Sequence, residues 1–203
     1  MVAHTLHRLL RLFVGLFMFG LGTALMLRAQ LGTDPWTVFA EGLSLATGLS
    51  IGLVTVLVGL TVLLLWIPLK QRPGVGTVTN ALLVGPFMEV GLFLIETPPT
   101  LTLRIIFFST GLLMIAIGSG WYIGTGLGPG PRDGLMTGLH RRFGWPLWAT
   151  RTGIEVTVVI SGWLLGGTVG WGTVAFALLI GPLIQPALKA LAMRDYWEKR
   201  MGR

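Results

Sequence analysis

The sequence predicts an all-α transmembrane fold made of two inverted-topology repeats, each with three spanning helices and one short helix. Three observations predict it. Apolar runs are long enough to cross a bilayer, the chain repeats itself at an offset of 96 residues, and Lys and Arg are distributed so that the two copies take opposite orientations. The chain reads as one integral membrane domain over residues 1–203, with repeat one at about 9–96 and repeat two at about 103–191.

Composition sets the class. The chain is 53% hydrophobic and only 11% charged, against about 25% charged in a soluble domain, so it has too few charges to cover a water-facing surface. The 30 glycines are spread through apolar runs, which suits close helix packing in lipid rather than a linker. With no cysteine, disulfides, zinc-thiolate sites, iron–sulfur clusters and thiol catalysis are excluded. His4, His7 and His140 form no metal-ligand spacing on a helix. The net charge of +7 comes from basic residues clustered between apolar segments. It is therefore a topology signal rather than a nucleic-acid footprint, since no basic domain outside the lipid is large enough to host one.

A spanning helix needs ~20 predominantly apolar residues. Six runs meet this, at roughly Leu9–Leu27, Ile51–Ile67, Thr77–Ile95, Leu103–Ile123, Leu147–Leu165 and Thr173–Leu191. The first also resembles a secretory signal peptide, but its matching copy later in the chain argues for a retained span. Two shorter segments, Pro35–Gly48 and Pro131–Gly144, are too short to cross. Each opens on Pro and closes on Gly, the expected start and stop of a helix. The first is mostly apolar, with Glu41 as its only charge, and so lacks the charged face of a surface-lying helix. Both are read as re-entrant, with surface-lying helices joined by ordinary extramembrane loops as the alternative.

In the repeat, Gly15, Gly22, Gly32, Gly42, Gly48, Gly74, Gly76 and Gly85 meet Gly111, Gly118, Gly128, Gly138, Gly144, Gly170, Gly172 and Gly181, and Pro35 and Pro86 meet Pro131 and Pro182. Shared Leu and Val can follow from composition, whereas shared Gly and Pro at fixed spacing mark one supersecondary unit used twice. If the short helices do not cross, each copy has an odd number of spans and the second is inverted. Both termini are then cytoplasmic, and of the 15 Lys and Arg only Arg28 and Arg104 face outward. If they do cross, Lys70, Arg72 and Arg132 move outside, so the positive-inside rule favours inversion. Charge also differs between matching loops as inversion requires: Lys70 and Arg72 match Gly166 and Thr168, while His140, Arg141 and Arg142 match Ser44, Leu45 and Ala46.

Inversion has a consequence for function. The N-termini of two re-entrant helices would face each other near the midplane with their positive ends together, where free backbone N–H groups hold anions or substrate carboxylates. This is a common transporter plan. Charges within apolar runs are costly and usually face a cavity or a partner. Glu89, Arg151 and Glu155 are such charges, and Arg151 and Glu155 stand four apart, at pairing distance on one helix. Arg132, Asp133, Arg151 and Glu155 match uncharged Trp36, Thr37, Thr55 and Gly59, so copy two carries charges that copy one lacks. Asp34, Trp36, Arg132, Asp133, Arg151, Glu155 and Glu89 are the candidate substrate-binding residues. Asn80, matched by Phe176, is expected to make a helix–helix hydrogen bond. No metal or cofactor is expected.

Gly130-Pro131-Arg132-Asp133-Gly134-Leu135, Arg151-Thr152-x-x-Glu155, Gly166-Gly167-Thr168-x-Gly170-x-Gly172-Thr173 and Gly181-Pro182 together resemble the YczE/YyaS/YitT-type bacterial membrane proteins, from about Arg8 to Leu188. The chain is most similar to the YczE branch, because the soluble C-terminal domain of YitT-type members is absent. The resemblance implies a bacterial cytoplasmic-membrane location and no particular reaction. A small-solute transporter or exporter, taking an anionic or zwitterionic solute at a midplane site, is the expected function. A passive channel and a membrane accessory or assembly protein are the alternatives. An enzyme is not expected, since the H-E-x-x-H, G-x-S-x-G and P-loop patterns are absent.

Overall fold

The computed structural model describes residues 2–193 and 196. Arg194, Lys199, Arg200 and Arg203, which enter the charge argument above, lie outside the described residues. The main elements are eight helices, with no strand among the described residues: α1 (Val2–Ala29), α2 (Pro35–Thr47), α3 (Ile51–Trp66), α4 (Val75–Leu94), α5 (Leu101–Ile123), α6 (Pro131–Phe143), α7 (Leu147–Leu164) and α8 (Trp171–Leu191). Pro35 and Pro131 sit in the first turns of α2 and α6, where a missing N–H costs nothing. Gly48 and Gly144 end those helices in the left-handed conformation, at φ 74° and 71°.

Four helices are long and apolar enough to cross a membrane: α1, α4, α5 and α8. The pair α2 and α3, bent by 117° at a short break, would make a fifth span if counted as one. The sequence reading expected α3 and α7 to span as well. However, α3 has 16 residues, ~24 Å of helix at 1.5 Å per residue. The 18 residues of α7 include Arg151 and Glu155. Large apolar side chains such as Phe93, Trp171, Trp148 and Leu164 stand exposed on the outer surface, as a lipid-facing bundle requires.

Small residues set the central crossing. An added Cβ on Gly15, Gly22, Gly111 or Gly118 would come within 2.5 to 2.7 Å of a carbonyl oxygen on the facing helix, so that only Gly allows the approach. Gly15 meets Gly118 and Gly22 meets Gly111. The register falls along α5 as it rises along α1, and the two helices are therefore antiparallel.

Many contacts recur between the residues 96 positions on. The Gly76 N–H donates to Leu127 O at 3.0 Å, and the Gly172 N–H donates to Leu31 O at 2.7 Å. The Gly74 N–H donates to Thr77 Oγ1 at 3.2 Å, and the Gly170 N–H donates to Thr173 Oγ1 at 3.4 Å. Trp66 of α3 lies on Gly134 of α6, as Gly162 of α7 lies on Val38 and Phe39 of α2. Positive φ also comes in pairs among the described residues: Gln30 with Gly126, Gly32 with Gly128, Gly48 with Gly144, and Lys70 with Gly166.

The helices form two groups, each drawing matching helices from both copies. In one, Met26, Phe108, Leu112, Ile115, Phe176 and Ile180 tie α1 and α5 to α8, while Leu16, Val84 and Tyr122 tie α1 and α5 to α4. In the other, Trp36, Ala40, Val54, Val58, Trp66, Leu135 and Val158 join α2, α3, α6 and α7. The groups meet tightly where α3 packs on α4, whereas α7 makes no such packing against α8.

Candidate functional site

The N-terminal ends of α2 and α6 lie side by side between the two helix groups. Asp34, in extended backbone, caps α2 by accepting from the Trp36 and Thr37 N–H groups, both at 3.2 Å. It also accepts from the Thr37 hydroxyl and from Arg132 Nη1 at 3.0 Å. The Arg132 guanidinium lies over the Trp36 ring, 5.2 Å from its centroid, at cation–π distance. Trp66 Nε1 donates to Pro131 O at 3.0 Å and so pins the first turn of α6 to α3.

A cavity of about 130 Å³ opens beside this junction. Its walls include matching residues from both copies, among them Phe19 with Ile115, Pro35 with Pro131, Trp36 with Arg132, Thr55 with Arg151, Gly59 with Glu155, and Val84 with Ile180. Six of the seven residues singled out from the sequence line it: Asp34, Trp36, Arg132, Asp133, Arg151 and Glu155. Glu89 does not. Its carboxylate accepts the Gly52 N–H at 2.6 Å, where it holds the start of α3 against α4.

The charges differ in how far they are committed. Asp34 is buried and its oxygens are spent on α2 and Arg132. The expectation of free N–H groups at α2 therefore gives way, because the chain's own carboxylate occupies them. Arg151 Nε meets Glu155 Oε1 at 2.9 Å, one turn along α7, in a pair whose Arg side chain is 51% exposed. Asp133, in the first turn of α6, is open to the cavity and forms no ion pair among the described residues. Arg28, one of the two basic residues read as facing outward, donates to Leu92 O at the end of α4.

Polar groups that the sequence reading did not assign to the site complete the wall. Tyr122 and Ser119 reach it from α5 and Asn80 from α4. A Cβ added to Gly130 would lie 2.9 Å from the Tyr122 hydroxyl, 3.5 Å from Asp133 Oδ2 and 3.9 Å from Asn80 Nδ2, so these three groups converge on one glycine. The helix–helix hydrogen bond expected of Asn80 is not formed among the described residues, and its side chain faces the cavity instead. Tyr122 matches Met26, and a hydroxyl in an apolar run whose copy is wholly apolar was the available signal. No group of three or more His, Cys, Asp or Glu suited to a metal ion occurs among the described residues.

Residues 6–189 match the family model described as "Family of unknown function (DUF6198)". A Haemophilus influenzae protein is 38% identical over 181 residues, covering 89% of this chain and 83% of that protein. The Bacillus subtilis "Uncharacterized membrane protein YczE" is 34% identical over 178 residues, covering 87% and 83%. YyaS of the same bacterium is 25% identical over 193 residues, covering 93% and 96%. No solved structure matches the chain. These relatives agree with the resemblance carried by the G-P-R-D-G run. A family model matching most of the chain, together with relatives of this identity and several helices apolar enough to cross a bilayer, makes the chain a multi-pass membrane protein that belongs to the DUF6198 family.

Proposed function

We propose that the protein is a small-solute transporter of the bacterial cytoplasmic membrane. In this reading its two halves are inverted repeats of three spans each, α2 and α6 are re-entrant, and both termini are cytoplasmic. The observation that carries it is a solute-sized cavity between two helix groups that are joined on one side and parted on the other. The α3–α4 side is joined: an added Cβ on Gly85 would come 2.2 Å from Gly52 O, and Glu89 holds the Gly52 N–H. The matching residues of α7 and α8 are Trp148, Gly181 and Gln185, and nothing lies within 4 Å of a Cβ added to Gly181.

Inversion is supported by the antiparallel crossing of α1 and α5 and by the contacts that recur at matching residues, which is the self-complementary pattern of a two-fold relation. An axis perpendicular to two antiparallel spanning helices lies in the membrane plane. In that frame the start of α3 is extracellular and the start of α7 cytoplasmic, so the cavity is shut outward and open inward. A carrier exchanges these states by parting one side as it joins the other.

The natural absence of cysteine makes the test direct. Single cysteines at Arg28, Arg72, Thr97, Arg142 and Gly167 should label from outside, inside, outside, inside and outside. In proteoliposomes, a cross-link between cysteines at Trp148 and Gln185 should abolish saturable, counterflow-competent uptake. Flux that does not saturate and survives the cross-link would indicate a channel. Absence of any flux, with recovery of one stoichiometric partner, would indicate an accessory protein.

A further inference from the structure

We infer that the cavity takes a small ammonium-bearing solute whose positive nitrogen uses Asp133 as its counter-ion. This rests on the carrier reading only in treating the cavity as the cargo's site. Three carboxylates and two guanidinium groups line the cavity. Arg132 is bound to Asp34 and Arg151 to Glu155, which leaves Asp133 as the carboxylate without an ion pair among the described residues. Arg151 and Arg132 also act on Asp133, yet the five side chains together keep one net negative charge, of which the N-terminal end of α6 offsets about half. Residual charge within a membrane bundle calls for a partner, and a ligand carrying one positive charge supplies it.

The surrounding chemistry selects ammonium. Asp133 Oδ2, the Tyr122 hydroxyl and the Asn80 amide converge around Gly130. Asp133 Oδ2 and the Tyr122 hydroxyl oxygen accept N–H groups of one ammonium, while Asn80, whose Nδ2 faces Gly130, is a donor for an acceptor elsewhere on the solute. A divalent metal is not favoured, since the required carboxylate or imidazole cluster is missing among the described residues. Apolar Phe19, Ile115, Val84 and Ile180 line the rest of the cavity and suit a short carbon skeleton. A volume of about 130 Å³ is close to that of an engineered cavity of ~150 Å³ that admits benzene, which limits the solute to about six heavy atoms.

The test is isothermal titration of the full-length, detergent-purified protein with ethylammonium, glycine and propionate at matched ionic strength. Ethylammonium or glycine should bind and propionate should not. Asp133→Asn should weaken binding at least tenfold. Gly130→Ala, which keeps every charge but pushes a methyl group toward the Tyr122 hydroxyl, should weaken it too, with both variants remaining monodisperse on size exclusion. If Asp133→Asn does not stay monodisperse, Gly130→Ala and Tyr122→Phe carry the test. The inference is overturned if propionate binds in place of the amines, if none of the three binds, or if the variants bind as the parent does. Propionate binding would still leave the carrier reading in place. Amine binding at Asp133 with flux indifferent to the α7–α8 cross-link would instead sink the carrier reading and keep the site.

Discussion

The side where α3 meets α4 and the side where α7 stands off from α8 are built from matching segments, yet they differ in packing and in chemistry. The first has Gly52 against Gly85, with Glu89 accepting the Gly52 N–H, and it presents only Thr55, Gly59 and other uncharged groups to the cavity. The second has Trp148, Gly181 and Gln185 in the same places and presents Arg151 and Glu155. Repetition thus supplied the scaffold, and copy two supplied most of the polar wall, with Asp34 and Asn80 coming from copy one. One architecture can hold a tight crossing and an open one together: Gly52 faces Gly85 at the tight crossing, whereas Trp148 stands in the place of Gly52 at the open one.

Substituting the paired glycines should break the comparison most sharply. Gly85→Leu drives a side chain into the α3 backbone, where an added Cβ already comes 2.2 Å from Gly52 O. It should cost upward of ~3 kcal/mol, the high end for overpacking, and prevent recovery of monodisperse protein. Gly181→Leu has open space around it and should leave thermal stability in detergent within about 0.5 kcal/mol of the parent. If α7 closes on α8 during transport, however, Gly181→Leu should abolish uptake while leaving the protein folded. Equal destabilisation by the two changes would erase the distinction.

The two ion pairs should separate next. Asp34→Ala removes a cap and the partner of Arg132 at a buried site. A cost of about 2 kcal/mol is expected, read as a fall in melting temperature, since cap loss alone costs about 1 kcal/mol and breaking a fully buried pair costs more. Glu89→Ala, which frees the Gly52 N–H, should cost about 1 kcal/mol, whereas Gln185→Ala at the matching position should cost little. Smallest of all is Arg151→Ala. Its exposed i,i+4 pair with Glu155 is worth about 0.3–0.5 kcal/mol, so thermal stability should hardly move. A loss of solute binding or uptake in that variant would then be functional rather than structural.

Much of the fold was legible because glycine and proline carry positional meaning. Pro35 and Pro131 marked two helix starts, and Gly48 and Gly144 marked their ends. Gly32 and Gly128, matched in the repeat, both adopt positive φ. The pairing of Arg151 with Glu155 followed from helical spacing alone. Glu89 was less legible, because a charge in an apolar run points equally to a cavity or to a partner. Only the crossing of α3 and α4 shows that its partner is a backbone N–H. Asp34 was legible as a candidate binding carboxylate but not as the group that fills the anion site at its own helix end.

By itself the sequence determined the membrane class, the eight helices, the repeat and most of the charged cavity wall, because these follow from local periodicity, backbone preference and the cost of charge in lipid. Tertiary structure alone decided that Tyr122 and Asn80 join that wall, that Arg132 turns to Asp34 and leaves Asp133 open, and that one helix pair is joined while its counterpart is parted. Those outcomes depend on how closely backbones approach between segments far apart in the chain, and no spacing along one helix encodes that distance.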